Sequence, residues 1–290
     1  MSGVTLAGML AEARRRLAEA GIAEAVQEAR ALVGGLLGLS STAFVTDGAR
    51  VLEDGEVSVI EAALARRAAR EPVHRILGRR AFSRLDLLLS PETLEPRPDT
   101  EILVDTLVPH ARRMVAERGG CRILDLGAGT GAICLALLDL VPGTTGVGTD
   151  LSPGALETAR RNADINGVSG RFETVESDWF SAMTGTFDII VSNPPYIVRS
   201  VVGTLDEEVR LHDPILALDG GEDGLDAYRA IAAGAGGHLR ENGLVAYEIG
   251  YDQKESVTAL MRDKGFARLE AVKDFGGNDR VLVFSKPAVA

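Results

Sequence analysis

From Asp99 onward, short apolar runs alternate with segments of helical periodicity. Helical segments at about 99–117, 130–140 and 153–166 lie before, between and after the first runs. Strands that alternate with helices are typical of an α/β domain with a mostly parallel sheet. The sequence therefore predicts a seven-stranded α/β domain over residues 99–290, with strands near 122–126, 145–149, 171–176, 187–192, 243–249, 267–274 and 280–285.

Residues 1–75 have a different pattern, in which apolar residues recur at helical spacing over 6–17, 22–36 and 57–64. This predicts a small all-helical domain, which we interpret as a substrate-docking domain. Gly34, Gly35 and Gly38 interrupt the second of its helices, so the pattern does not fix where that helix ends.

Residues 76–98 separate the two domains. Gly78 and the alternating stretch 81–89 predict a β-hairpin, and Pro91, Pro96 and Pro98 complete a linker.

The chain has 290 residues and is 46% hydrophobic, enough for a substantial core. Its formal charge of −11 is unevenly distributed, because residues 1–90 carry +1 and residues 91–290 carry −12. An acidic domain repels phosphate backbones, so we expect no stable nucleic-acid partner. An arginine cluster at 66–84 is either a solvated surface or a docking surface for a partner.

The cysteines and the N-terminal residues indicate whether the chain has a metal site and whether it is exported. Cys121 and Cys134 form no Cys-x-x-Cys pair, so we expect neither a metal site nor a disulfide. Glu12 and three arginines stand where a signal peptide needs an apolar segment, and the apolar stretch 132–138 is too short to span a bilayer. We expect a cytoplasmic protein without membrane attachment.

A glycine-rich turn follows the first strand of the α/β domain, and a carboxylate, Asp150, ends the second strand about 20 residues later. Such a turn lets a nucleotide approach the backbone closely, and such a carboxylate typically binds the ribose hydroxyls. Asp125 either holds a cationic amino group or caps the turn. The pattern fits a nicotinamide dehydrogenase and an S-adenosylmethionine enzyme equally well. The candidate cofactor residues here are Asp125, Gly127, Ala128, Gly129, Thr130, Gly131 and Asp150.

Two further residues follow the third strand, at the adenine end expected for such a cleft. Asp178 can accept the amino hydrogens of adenine, and Trp179, the only Trp, offers a flat apolar face. A single Trp is more often a packing residue, but this position favours ligand contact.

Ser192 to Tyr196 read Ser-Asn-Pro-Pro-Tyr, directly after the apolar run 187–191. The side-chain oxygen of Asn193 and the backbone oxygen of Pro194 can accept both hydrogens of an NH2 group. Pro195 adds to this surface, and Tyr196 can pack on a planar acceptor or near a sulfonium. We therefore assign Asn193, Pro194 and Tyr196 as candidate catalytic residues, with Pro195 as a further substrate contact.

The segment between the fourth and fifth strands, 197–224, is longer than an ordinary loop and is predicted to be a substrate loop or lid. Glu248 ends the fifth strand, where it either fixes the local backbone or acts directly.

Several of these motifs together resemble class I S-adenosylmethionine-dependent methyltransferases. Within that class, the chain is similar to the release factor glutamine methyltransferases of the PrmC/HemK type, over about residues 71–285. Asn-Pro-Pro-Tyr is shared with enzymes that methylate nucleobase amino groups, whereas Pro-Arg-Pro-Asp-Thr-Glu at 96–101 is more specific. Other matching segments are Glu71-Pro72-Val73, Glu208-Val209-Arg210, Ala217 to Gly221 and Gly276 to Arg280.

The resemblance implies a Rossmann-like fold and S-adenosylmethionine as cofactor, with S-adenosylhomocysteine as product. It implies that the glycine turn, Asp150, Trp179 and Asn193 contact the cofactor, and that residues 193–196 hold the glutamine of a Gly-Gly-Gln motif in a peptide chain release factor. Glu95, where an aliphatic residue is usual, and the segment 211–214 depart from the family pattern.

Two other functions remain open from the sequence. The first is an enzyme that methylates an amino group of a flipped nucleic-acid base, which needs a basic groove. The second is a non-catalytic protein that keeps the fold only to bind a partner.

Overall fold

The computed structural model describes residues 3–286, and the chain divides into two compact units. One unit runs to Arg79 and also contains Glu207–His212. The other consists of Arg80–Asp206 and residues 213–286. The observed division therefore follows Arg79, and six residues of the segment 197–224 pack with the helical unit.

Within residues 3–286, helices α1 to α12 are Leu6–Glu19, Ala25–Leu37, Ala43–Thr46, Asp54–Ala68, Val73–Leu77, Thr100–Arg118, Ala132–Leu140, Pro153–Ile165, Arg199–Val202, Glu207–His212, Asp226–His238 and Lys254–Asp263. Strands β1 to β9 are Arg79–Phe82, Leu85–Leu88, Cys121–Leu126, Thr144–Asp150, Phe172–Glu176, Phe187–Ser192, Leu239–Glu248, Ala267–Lys273 and Asp279–Ser285. No helix in this part of the chain has the length and apolar character needed to cross a membrane.

The helical unit is built on α1, α2 and α4. Thr5 caps α1, because its side-chain oxygen accepts a hydrogen bond from the backbone N–H of Gly8 at 3.1 Å. The buried face of α1 has the predicted helical spacing, and it packs with α2 and α4 in one core.

Helix α2 continues through Gly34 and Gly35, which do not interrupt it as the sequence suggested, and it ends at Leu37. Both glycines are sites of close packing. A Cβ atom on Gly35 would lie 2.7 Å from a methyl carbon of Leu77, and one on Gly34 would lie 3.4 Å from the ring of Phe44. Tertiary packing therefore outweighs the low helix propensity of glycine here.

The second unit contains a seven-stranded sheet in the order β5-β4-β3-β6-β7-β9-β8. Strands β5, β4, β3, β6 and β7 are parallel, whereas β9 runs antiparallel to both of its neighbours. The predicted fold class and all seven predicted strands are confirmed. Strands β1 and β2 form a separate two-stranded sheet.

The strand order creates a switch point between β3 and β6. The chain passes from β3 to β4 and β5 on one side, and then returns to β6 on the other side of β3. Ligands of open α/β sheets bind at the carboxyl ends of strands where the order reverses in this way. Asp125 of β3 pairs with Val191 of β6, so the glycine turn and the Asn-Pro-Pro-Tyr segment leave the sheet side by side.

The segment 197–224 is not a structureless loop. Its two ends are tied together, because Ile197 exchanges backbone hydrogen bonds with Leu218 and Gly220, and Arg199 forms an ion pair with Asp219 at 2.8 Å. Between these ends lie α9, α10 and a short 3₁₀ turn at Ile215–Ala217. A role as a substrate loop or lid stays a prediction.

Candidate active site

A cavity of about 320 Å³ lies at the carboxyl edge of β3, β4 and β6, within the second unit. It is lined by Pro91, Glu92, Leu94, Pro96, Arg97, Thr100, Gly127, Ala128, Gly129, Thr130, Ala132, Ile133, Asp150, Leu151, Ser152, Ser177, Trp179, Asn193, Pro195, Pro214, Leu216 and Ala217. The structure therefore brings the glycine turn, Asp150, Trp179 and Asn193 to one place. Asp125, Gly131, Asp178, Pro194 and Tyr196 are outside this lining set.

The glycine turn presents its backbone to the cavity. Gly127 and Gly129 have φ angles of 70° and 55°, and a Cβ atom on either would meet nothing within 4 Å. Gly131, with φ of 81°, is the N-cap of α7, and a Cβ atom there would lie 3.0 Å from Leu135. A positive φ favours glycine at all three positions, and the first two leave room for a ligand against the main chain.

Asp150, at the end of β4, stabilises the glycine turn through hydrogen bonds. One carboxylate oxygen, Oδ2, accepts a hydrogen bond from the backbone N–H of Gly129 at 2.9 Å, and Oδ1 accepts one from Ser152 at 2.9 Å. Each oxygen retains a lone pair that can accept a ligand hydroxyl hydrogen. Asp150 can thus shape the turn and bind a ligand.

Asp125 lies buried beneath the turn. Its Oδ2 accepts a hydrogen bond from the backbone N–H of Cys134 at 3.1 Å, in the first turn of α7, so this carboxylate caps the start of the helix. Its Oδ1 has no partner among the described residues. Burial, with the nearby charge of Asp150, raises the pKa of Asp125 to about 7.

We expect Asp125→Asn to change how stability depends on pH. Because the folded-state pKa of Asp125 is raised above its ordinary 3.8, its stabilising contribution is present below about pH 4 and is lost as the pH rises through about 7. The free energy of unfolding of the wild type should fall relative to the variant by up to about 1.4 kcal/mol per pH unit in that window. Urea unfolding at several pH values measures this, and parallel curves for the two proteins would contradict it.

The end of β5 contributes Ser177 and Trp179 to the cavity. The hydroxyl of Ser177 donates to the backbone oxygen of Trp179 at 2.9 Å and accepts from the backbone N–H of Ala182 at 3.1 Å, so it fixes this turn. Asp178 is exposed, and its predicted adenine contact stays a prediction. Leu151 also lines the cavity, and only its position directly after Asp150 could have indicated it.

Residues 193–196, which we call the acceptor segment, are connected to a network of polar side chains. Nδ2 of Asn193 donates to Oγ1 of Thr100 at 3.3 Å, and that hydroxyl donates to Oε2 of buried Glu248 at 2.6 Å. The hydroxyl of Tyr196 lies 3.5 Å from Oε1 of Glu248, and Gln253 donates to the backbone oxygen of Tyr196 at 3.0 Å.

Two pKa values in this network are raised. Burial raises the pKa of Glu248, against the opposing hydrogen bond from Thr100 and the charge of Arg280. Burial and then the charge of Glu248 raise the pKa of Tyr196 to about 12, so its phenol is neutral at physiological pH. Sequence reasoning missed Thr100 as a site residue, although it lies in the 96–101 motif.

The two departures from the family pattern lie together. Glu95 is buried and forms an ion pair with Arg80 of β1, so its charge is compensated. Its backbone N–H donates to Asp213 at 3.4 Å, and Asp213 also pairs with Arg97 at 2.5 Å. Because Arg97 lines the cavity, this polar cluster supports one of its walls.

The arginine cluster at 66–84 is largely engaged in ion pairs within the two units. Arginines of this cluster with a carboxylate within 4.0 Å include Arg66, Arg67, Arg70, Arg80 and Arg84. In the helical unit, Arg67 is buried between Glu28 and Glu208, and its distance to Glu208 is 2.7 Å. These pairs weaken the interpretation of the cluster as a free cationic docking surface.

The sheet, the glycine turn at its switch point and the acceptor segment beside it define a Rossmann-like methyltransferase domain. Residues 9–78 match the family described as PrmC N-terminal domain, and residues 98–207 match Methyltransferase small domain. A release factor glutamine methyltransferase of Agrobacterium fabrum is 55% identical over 289 residues, which are 99% of this chain and 100% of that protein. One of Rhodospirillum rubrum is 44% identical over 99% of this chain and 87% of that protein. The chain belongs to the release factor glutamine methyltransferase family.

Solved structures share the fold. A methyltransferase from Pyrococcus furiosus has a TM-score of 0.54 at 21% identity, covering 78% of this chain and 98% of that chain. The hMettl16 catalytic domain, solved with MAT2A 3'UTR hairpin 1, has a TM-score of 0.56 at 14% identity, covering 89% of this chain and 92% of that chain. At these identities the likeness concerns the fold alone.

Proposed function

We propose that this chain transfers the methyl group of S-adenosylmethionine to the side-chain amide nitrogen of the glutamine in the Gly-Gly-Gln motif of peptide chain release factors. Its family membership makes it an S-adenosylmethionine-dependent protein-glutamine methyltransferase. The observation that carries the proposal is the pairing of full-length family similarity with a cavity that contains both the glycine turn and Asn193. Because release factors act at ribosomes, the proposal places the enzyme in the cytoplasm.

In our proposal the cofactor lies in the cavity along the ends of three strands. We assign the ribose to Asp150 and the adenine to Trp179 and Asp178, with the methionine part against the turn 127–131, near Asp125. The open space at Gly127 and Gly129 and the remaining lone pairs of Asp150 support this placement. When bound, the cofactor supplies an electrophilic methyl group on a sulfonium.

The acceptor residues compensate for a weak nucleophile. The nitrogen of an amide is poorly nucleophilic because its lone pair is delocalised, and it gains positive charge as it bonds to the methyl carbon while the carbon–sulfur bond breaks. In our proposal Oδ1 of Asn193 and the backbone oxygen of Pro194 accept the two N–H groups, which orients the nitrogen and stabilises that charge. Pro195 and neutral Tyr196 enclose the planar amide. The extra proton then leaves to water, so no general base is required.

The rim of the cavity favours a protein substrate over a nucleic acid. Ile215 and Leu216 are 65% and 71% exposed, and Leu216 lines the cavity. Exposed apolar side chains beside a site typically mark a protein contact. The acceptor residues recognise only an NH2-bearing planar group, so selectivity needs further surfaces, which we assign to this rim and to the helical unit.

We expect Ile215→Asp to raise the KM for an intact release factor by about tenfold, equivalent to about 1.4 kcal/mol, because a carboxylate replaces an apolar contact. The affinity for the cofactor should not change. Leu269→Asp, on β8, is the matched control, because Leu269 is also exposed. Steady-state kinetics measure the effect, and an equal KM for both variants would contradict the proposed rim contact.

Competition for methyl label tests the proposed function against the nucleic-acid alternative. The full chain is incubated with methyl-labelled cofactor, a purified release factor, and total RNA and DNA in one reaction. We expect the label in the release factor. Label in nucleic acid, with the release factor unlabelled, would support the alternative instead.

A further inference from the structure

The orientation of the Asn193 side chain determines what it offers to a substrate. A side-chain amide has an acceptor oxygen on one branch and a donor NH2 group on the other. An acceptor glutamine presents its own NH2 group, so only the oxygen of Asn193 can bind it. The reverse orientation would place two NH2 groups against each other.

The hydroxyl of Thr100 selects between these orientations. It has one hydrogen, and the distance of 2.6 Å to Oε2 of Glu248 is that of a strong hydrogen bond to a carboxylate. With its hydrogen used there, Oγ1 of Thr100 can only accept. Asn193 must therefore present Nδ2 to Thr100, as the structure has it at 3.3 Å.

The reverse orientation has an electrostatic cost. If Oδ1 of Asn193 faced Thr100, the hydroxyl of Thr100 would have to donate to it instead of to Glu248. If the hydroxyl kept its bond to Glu248, two acceptor oxygens would face each other. Glu248 is buried, and a buried carboxylate that loses a hydrogen-bond donor is destabilised. The same carboxylate approaches the hydroxyl of Tyr196 at 3.5 Å, so one acidic group supports both ends of the segment 193–196.

We infer that Thr100 and Glu248 are positioning residues, which hold the amide of Asn193 with its nitrogen inward and its oxygen towards the acceptor. This inference rests on the proposed role of Asn193 in methyl transfer. Neither residue takes part in bond making, and their effect is exerted through the orientation of Asn193.

The first test compares Thr100→Val with Thr100→Ser in the full chain. Valine keeps the shape of threonine without the hydroxyl, whereas serine keeps the hydroxyl. We expect Thr100→Val to lower kcat for release factor methylation by at least ~10-fold, the scale of one oriented hydrogen bond, with little change in the affinity for S-adenosylhomocysteine. Thr100→Ser should restore most of kcat. If the role of Thr100 were purely structural, Thr100→Val would lower the melting temperature, and kcat would not fall separately from the affinity for S-adenosylhomocysteine.

Glu248→Gln provides a second test that holds if Thr100→Val does not fold. Glutamine has nearly the same shape as glutamate, but its NH2 group can donate to the hydroxyl of Thr100. That hydroxyl is then free to donate to Oδ1 of Asn193, which stabilises the reversed orientation of the Asn193 amide. We expect kcat to fall on the order of tenfold while the folded state persists. Wild-type kcat in a folded Thr100→Val or Glu248→Gln protein would overturn the inference. An inactive wild type would contradict the proposed function itself, and the inference with it.

Discussion

Asn193→Ala is expected to lower kcat for release factor methylation by at least ~100-fold, the scale of losing an oriented polar contact to the transition state. The variant lacks the oxygen that we assign to the acceptor NH2 group. Because that contact strengthens as charge develops on nitrogen, kcat should fall more than the affinity for the substrate.

Three measurements make this result interpretable. Calorimetry with S-adenosylhomocysteine shows whether the cavity still binds, and some weakening is consistent with a second contact from Asn193 to the cofactor. A melting curve shows that the variant is folded. Near-normal turnover in a folded variant would exclude Asn193 from the proposed role.

Asp150→Ala is expected to weaken cofactor binding by about 1.5–3 kcal/mol, the scale of hydrogen bonds to a charged group. Two losses contribute, because the carboxylate is proposed to bind the ribose and also holds the backbone N–H groups of Gly129 and Ser152. In contrast to Asn193→Ala, this change should act mainly on affinity, and turnover at saturating cofactor should be less affected.

The control for Asp150→Ala removes the same charge elsewhere. Asp164 is exposed on α8, so Asp164→Ala changes the net charge without touching the cavity. Calorimetry should give wild-type affinity for Asp164→Ala. Equal affinities for both variants and the wild type would exclude Asp150 as a ribose contact.

The fold was predictable because its signals are local. The central strands β3 and β6 are short runs that are buried along almost their whole length, as expected of parallel strands covered on both faces. Asp150 ends its strand, and the glycine turn and Asn193 directly follow theirs, so their place at one sheet edge follows from the parallel order. The meeting of these residues in one cavity could therefore be deduced from the sequence.

The remaining features depend on contacts between distant residues. Thr100 and Glu248 are 148 positions apart, and no spacing rule brings a threonine hydroxyl onto a carboxylate that ends another strand. The continuation of α2 depends on Leu77 packing against Gly35. Helix α10 lies in sequence among residues of the second unit, yet Glu208 pairs with Arg67 of the helical unit. Propensity and periodicity carry no information about such pairs.

Fragmentation mass spectrometry of a release factor treated with the full chain and S-adenosylmethionine shows which residue receives the methyl group. We expect one added methyl group on the side chain of the glutamine in the Gly-Gly-Gln motif, and a much slower formation of this product when the Asn193→Ala variant replaces the wild type. A methyl group on another residue, or an unmodified glutamine beside an active enzyme, would contradict it.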